Sequence, residues 1–241
     1  MKILIVRHGE PDYEIDGLTD KGKREAELVG ARLAKEKIDA LYCSPLGRAR
    51  LTAEPTERAL GIKAEILPWL REFDANTVAL PYLTSEQMCW DILPEYINAL
   101  PGIYHPTGWL EEDFIKNSNI PSAYAEVCRE LDLLLAKHGY ERDGYNYKAV
   151  KPNHDTLVLV CHFGLTCVLL SHLFNCSPYS LWQHTCTAPT AVTTIYTEER
   201  REGVAQFRAS TLGDVSHLYS AGEEVSFAAR FCECFSDDTR H

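Results

Sequence analysis

Between residues 3 and 67 the chain alternates three short apolar runs with two helix-period stretches, and each apolar run ends abruptly in polar residues. Residues 3–6 form a continuous apolar run, as in a strand buried on both faces, and stop at Arg7-His8-Gly9-Glu10-Pro11. Thr19 is placed to cap a helix on which Ala26, Val29, Leu33 and Ala34 share one face. Residues 40–43 read as a second strand, stopping at Ser44-Pro45. A second helix follows over about 46–60, with Pro55 predicting a kink or break near Glu54. Residues 64–67 read as a third strand, leading to Arg71-Glu72. Strand, helix, strand, helix, strand predicts an α/β domain with a mostly parallel sheet.

After residue 72 the rhythm stops. Residues 73–125 are rich in aromatics and prolines, with one predicted helix over 85–100, and read as an insertion rather than another βα unit. An amphipathic helix is predicted over 122–138, with Ala125, Cys128, Leu131 and Leu135 inward, followed by a polar loop over 139–155. Residues 156–161 are the clearest strand, ending at His162-Phe163-Gly164 before a helix through Phe174. Residues 191–196 and 204–209 read as antiparallel edge strands joined by a charged turn. There is no internal repeat, and the 241 residues read as one domain, 1–241, carrying the insertion.

Composition excludes several roles. Lys plus Arg number 24 and Asp plus Glu 35, a net charge of −11, which argues against nucleic acid or an anionic membrane surface as the main partner. No apolar stretch is long enough for an export signal or a membrane span. Nine scattered cysteines then read as reduced thiols in the cytoplasm. Cys232, Cys234 and His241 are too few for a structural zinc site, so no metal or other cofactor is expected.

The strand ends carry the chemistry. Carboxyl ends of parallel strands share one edge, where ligands bind. Arg7 and His8, Ser44 and Arg48, Arg71 and Glu72, and His162 are thereby delivered to one rim of an acidic protein. Guanidinium groups hold phosphoryl oxygens in pairs, and a neutral His can act as a nucleophile.

In this order the residues resemble the histidine phosphatase superfamily, the phosphoglycerate-mutase-like enzymes. The resemblance rests on Arg7-His8-Gly9-Glu10 after the first strand, Leu18-Thr19, Ser44-Pro45-Leu46 with Arg48-Ala49 and Thr52-Ala53, Leu70 with Glu72, and Cys161-His162-Phe163-Gly164. It covers roughly half of the chain. Pro11-Asp12 and Phe163 depart from the usual pattern, and the middle third has no match.

The resemblance implies a three-layer α/β/α fold with residues 73–125 as a cover over the site. It implies His8 as a covalent nucleophile, Arg7, Arg48 and His162 as phosphoryl ligands, and Glu72 as the acid and base, all without a metal. Glu10 and Asp74 remain alternatives for the acid. Glu10, Ser44 and Phe163 are expected beside the site, Ser44 also as a turn former, and His217 in a structural role. The predicted function is a phosphatase for a small phosphorylated metabolite. A phosphoglycerate-type mutase and a non-catalytic phospho-ligand binder are the alternatives; oligomeric state, including a homodimer, stays open. Residues 73–125 hold one basic residue, Lys116, against seven acidic ones, which disfavours a substrate with a second anionic group.

Overall fold

Strand β1 (Lys2–Arg7) sends Ile3 and Ile5 into one apolar cluster and Leu4 and Val6 into another, so both faces of the sheet are covered. This computed structural model describes residues 1–77, 88–226 and 232–236. A small hairpin, β2 (Pro11–Asp12) and β3 (Gly17–Leu18), precedes α1 (Asp20–Leu33), β4 (Ala40–Cys43), α2 (Gly47–Leu60) and β5 (Glu65–Ile66). Short helices α3 (Pro94–Ile97) and α4 (Asp113–Lys116) lead to α5 (Ile120–Lys137). Then come β6 (Tyr140–Asp143), β7 (Asn146–Ala149), β8 (Thr156–Cys161), α6 (Phe163–Phe174), α7 (Tyr179–Trp182), β9 (Val192–Arg201), β10 (Val204–Asp214) and α8 (Ser216–Ala221).

The sheet order is β5-β4-β8-β1-β9-β10-β7-β6. The first four strands pair in parallel and the rest antiparallel, with β1 at the junction. All six residues of β8 are buried, and each large apolar side chain so enclosed contributes about 1.5–3 kcal/mol. Helices α1 and α2 pack on one face through Val29, Leu33, Ala49 and Ala53. On the other face, α5, α6 and the insertion share a single core: Ile97, Ile103, Trp109 and Ile115 join the cluster that holds Ile3 and Leu157.

Several expectations change. Residues 139–155 are not a plain loop: β6 and β7 form a hairpin whose Gly144 turns at φ +61° and whose outer strand carries Glu141, Arg142 and Asp143. Polar residues suit this edge, because charge there discourages pairing with other chains. Strands β9 and β10 are internal, since the hairpin lies outside them. Helix α2 runs unbroken through Pro55, whose ring is accommodated by Gly30 of α1; a Cβ on Gly30 would sit 2.6 Å from the Pro55 Cβ. Ala125 faces solvent, and Val127 and Leu134 are buried instead. Of the helix expected over 85–100, the described part is helical only at Pro94–Ile97, and residues 78–87, with Tyr82 and Glu86, lie outside the described residues. Among the described residues no helix is long and apolar enough to cross a membrane. Cys232 is exposed and Cys234 half-buried, and His241 lies outside the described residues.

Candidate active site

The carboxyl ends of β1, β4 and β8 lie side by side because their registers are parallel: Arg7 pairs with Cys161, and Cys43 with Val160. The residues that follow each strand therefore meet. Arg7, His8, Ser44 and His162 are all buried, and the rings of His8 and His162 lie 5.1 Å apart.

His8 has its Nδ1 2.7 Å from the Gly9 carbonyl oxygen. A carbonyl can only accept, so in neutral His8 the proton sits on Nδ1 and the lone pair on Nε2. Burial and the charges of Arg7 and Arg48 hold its pKa well below the ordinary value, against the opposing Gly9 bond. The imidazole is kept neutral, as a nucleophile requires. His162 is also held well below its ordinary value, by burial and then by His8, Arg48, Arg7 and Arg71. Its Nε2 lies 2.7 Å from Ser44 Oγ, which accepts from the Leu46 amide. Ser44 thus shapes the turn, and where its hydroxyl donates to Nε2 the His162 proton sits on Nδ1.

Buried nitrogens without protein partners show where a bound anion would be held. Among the described residues, Arg7 Nε, Arg48 Nε and His162 Nδ1 are buried with no hydrogen-bond partner. Such groups are costly to leave unsatisfied, at about 1–3 kcal/mol each and more when charged. An anion with several oxygens would satisfy all three. The arginines are held by their other nitrogens: Arg7 donates to the Thr187 carbonyl, and Arg48 donates to Asp16 Oδ1 at 2.6 Å under the Tyr13 ring. Asp16 Oδ2 accepts from the Gly47 amide, also at 2.6 Å, so one carboxylate ties the β2–β3 hairpin to both Gly47 and Arg48. Asp16, Tyr13 and Thr187 have no counterpart among the sequence candidates. The Asp16–Arg48 contact spans 32 positions, and nothing local in Glu14-Ile15-Asp16-Gly17 distinguishes it from an ordinary turn.

Glu72 is half-buried, and its Oε1 accepts from the amides of Phe73 (2.8 Å) and Leu165 (3.0 Å). Desolvation raises its pKa, and the two amides and the charges of Arg7 and Arg48 oppose this without cancelling it. Gly164 makes this placement feasible: a Cβ there would lie 2.6 Å from Trp90 Nε1 and 2.9 Å from Glu72 Oε1. Phe163 is buried edge-to-face with Trp90, so it supports the wall beside Glu72.

The alternative acids sit elsewhere. Glu10 accepts from Thr19 Oγ1 and from the Ser226 hydroxyl, so both its oxygens are engaged by other groups. Asp74 is paired with Arg71 at 2.7 Å, both exposed. His217 hydrogen-bonds to Thr190 Oγ1, while the Thr190 amide donates to the His8 carbonyl, a supporting role. No group of three metal-ligating side chains occurs among the described residues.

Residues 3–113 match the family model of the histidine phosphatase superfamily, branch 1. A probable phosphoglycerate mutase GpmB from Photorhabdus laumondii is 30% identical over 155 residues, covering 58% of this chain and 70% of that relative. The chain belongs to the histidine phosphatase superfamily. A probable phosphatase from Schizosaccharomyces pombe is 26% identical over 234 residues, covering 91% of this chain and 96% of the relative. A phosphoserine phosphatase from Entamoeba histolytica, solved with phosphoserine, shares the fold with a TM-score of 0.59 at 19% identity, over 90% of this chain and 98% of that one. Membership in this superfamily agrees with the α/β/α layering and with Arg7-His8-Gly9 at the end of β1.

Proposed function

We propose that this histidine phosphatase hydrolyses a small phosphomonoester through a phosphohistidine on His8. The observation that carries the reading is the set of three buried, unpartnered nitrogens, Arg7 Nε, Arg48 Nε and His162 Nδ1, close to a neutral His8. His8 Nε2 attacks phosphorus, the bond to the leaving oxygen breaks, and Glu72 gives that oxygen its proton. Water then attacks the phosphohistidine, Glu72 takes a proton from it, the P–N bond breaks and inorganic phosphate leaves. Arg7, Arg48 and His162 offset the charge on the equatorial oxygens, a task that needs no metal ion here. The insertion serves as the substrate cover, and the free thiols fit a reducing, cytoplasmic compartment.

Phosphoryl return to a phosphoglycerate fits less well. Holding its carboxylate calls for further cations, yet the insertion's single one, Lys116, is paired with Asp113, and Arg71 with Asp74.

The test is brief exposure to substrate followed by denaturation and mass spectrometry, with an acid-labile phosphoryl group expected on His8. His8→Ala should abolish turnover, and excess chelator should leave the wild type active. Phosphate carried on Ser44, or on no residue during turnover, overturns the reading.

A further inference from the structure

Beside Glu72 lies a cavity of about 340 Å³, between the 3-10 turn Pro68–Leu70 and the first half of α5. Its size is that of a small-molecule site. We propose that this cavity is the leaving-group subsite, and that it takes alcohols without negative charge, amine-bearing ones best. The proposal rests on the role given to Glu72 above.

A group that protonates the leaving oxygen must form part of the wall around the leaving group. Glu72 lines this cavity, and so does Leu165, whose amide fixes Glu72 Oε1. With Oε1 held by two amides, Oε2 is the oxygen left to carry and give the proton. Two larger cavities, about 440 Å³ around Met1 and Tyr196 and about 420 Å³ over Ile97 and Phe114, touch none of the site's residues, whereas this one meets the site at Glu72.

The walls define the class of alcohol. Trp69, Phe73, Ala123, Val127 and Leu165 supply an apolar lining. Of the charged residues lining it apart from Glu72, Arg71 and Asp74 neutralise each other. Glu126 remains, an exposed carboxylate that pairs with no cation among the described residues. Residues 78–87 contain no Lys or Arg, so that segment supplies no compensating cation. A carboxylate or second phosphate on the leaving group would face Glu126 with nothing to offset it, whereas an ammonium group would gain a partner.

Three phosphomonoesters of equal length test this: 6-aminohexyl phosphate, hexyl phosphate and 6-phosphonooxyhexanoate, with acetyl phosphate as the small reference. The expected order of kcat/KM is amine, neutral, carboxylate, with each step about 2- to 5-fold, the scale of an exposed charge contact. Glu126→Lys should invert the order of the two charged substrates. Ala123→Trp should lower hexyl phosphate relative to acetyl phosphate by about tenfold or more, through loss of the apolar volume. Equal rates for the amine and carboxylate esters, or an order unchanged by Glu126→Lys, overturns the subsite while leaving the phosphatase intact. Hydrolysis of none of the four, acetyl phosphate included, overturns the phosphatase reading itself. If Ala123→Trp does not fold, the exposed Glu126→Lys still decides the matter.

Discussion

The strand-end rim and the β6–β7 hairpin both set arginine and histidine beside carboxylates, yet they treat them in opposite ways. At the hairpin, Arg142 donates from Nε to the Gly144 carbonyl, from NH1 to Tyr147 Oη and the His172 carbonyl, and from NH2 to Asn175 Oδ1. Asp132 accepts from Tyr147 and meets His172 Nε2 at 2.9 Å. All three Arg142 nitrogens are engaged, and the network clamps the hairpin to α5 and α6. At the rim, Arg7, Arg48 and His162 each keep a buried nitrogen without a partner. The content of charge is similar; what separates a fastening from a binding site is unspent hydrogen-bonding capacity.

The largest expected effect tests the acid. Glu72→Gln should reduce the phosphorylation burst for alkyl phosphates by about 10²–10⁴-fold. The loss should be far smaller for p-nitrophenyl phosphate, whose leaving group needs little protonation. In the wild type, activity should rise with pH as His8 loses its proton through a lowered pKa. It should fall again as Glu72 loses its proton through a raised one. Glu72→Gln should remove the falling limb. Equal losses for both substrates would take the acid role away from Glu72.

The next contrast sets one arginine against the other. Arg48→Lys should lower kcat/KM by about 10- to 100-fold with little change in stability, because a point charge cannot span Asp16 and a phosphoryl oxygen together. Arg142→Lys should instead cost about 1–3 kcal/mol of stability and leave kcat/KM within about twofold. Denaturant unfolding and steady-state kinetics on both variants check this, and two variants with the same profile would erase the distinction between the regions.

Glu25 sharpens the comparison, since it too has an unpartnered oxygen, but it belongs to neither region. It is buried on α1, its Oε2 accepts from the Glu10 amide, and its Oε1 has no partner. Desolvation raises its pKa to about 7, while the Glu10 amide opposes the rise. A raised carboxyl pKa means the folded state holds a proton that the unfolded state releases, so stability falls between about pH 4.5 and pH 7. Glu25→Gln should remove this fall, on the order of 2 kcal/mol, visible as a smaller difference in Tm between pH 5 and pH 8. An unchanged pH dependence would mean that the orphan oxygen is hydrated. A single orphan carboxyl oxygen is no anion site; at the rim the unpartnered nitrogens of two arginines and a histidine are grouped beside His8.

Local pattern sufficed where local forces dominate. The five-residue apolar run 157–161 of β8 reads as a strand buried on both faces, and Thr19 caps α1 through the Gly22 amide. The hairpin over 140–149 escaped, because Tyr147 and Ala149 are buried only by what Phe207 and the core bring to them from far along the chain. The same holds for β9 and β10, whose alternation marks strands but not their neighbours.

At the site, the residue types and the strand ends that bear them were legible in Arg7-His8, Arg48, Glu72 and His162, since a strand that stops at a polar residue delivers it to the sheet's edge. Which nitrogen carries each proton, which donors stay empty, and that Asp16 holds Arg48 were decided by tertiary structure alone. These depend on approaches of 2.6–2.9 Å between segments 32 to 118 residues apart, such as Asp16 with Arg48 and Ser44 with His162. Burial then sets the pKa values, because desolvation is a property of the assembled surroundings and not of any one segment.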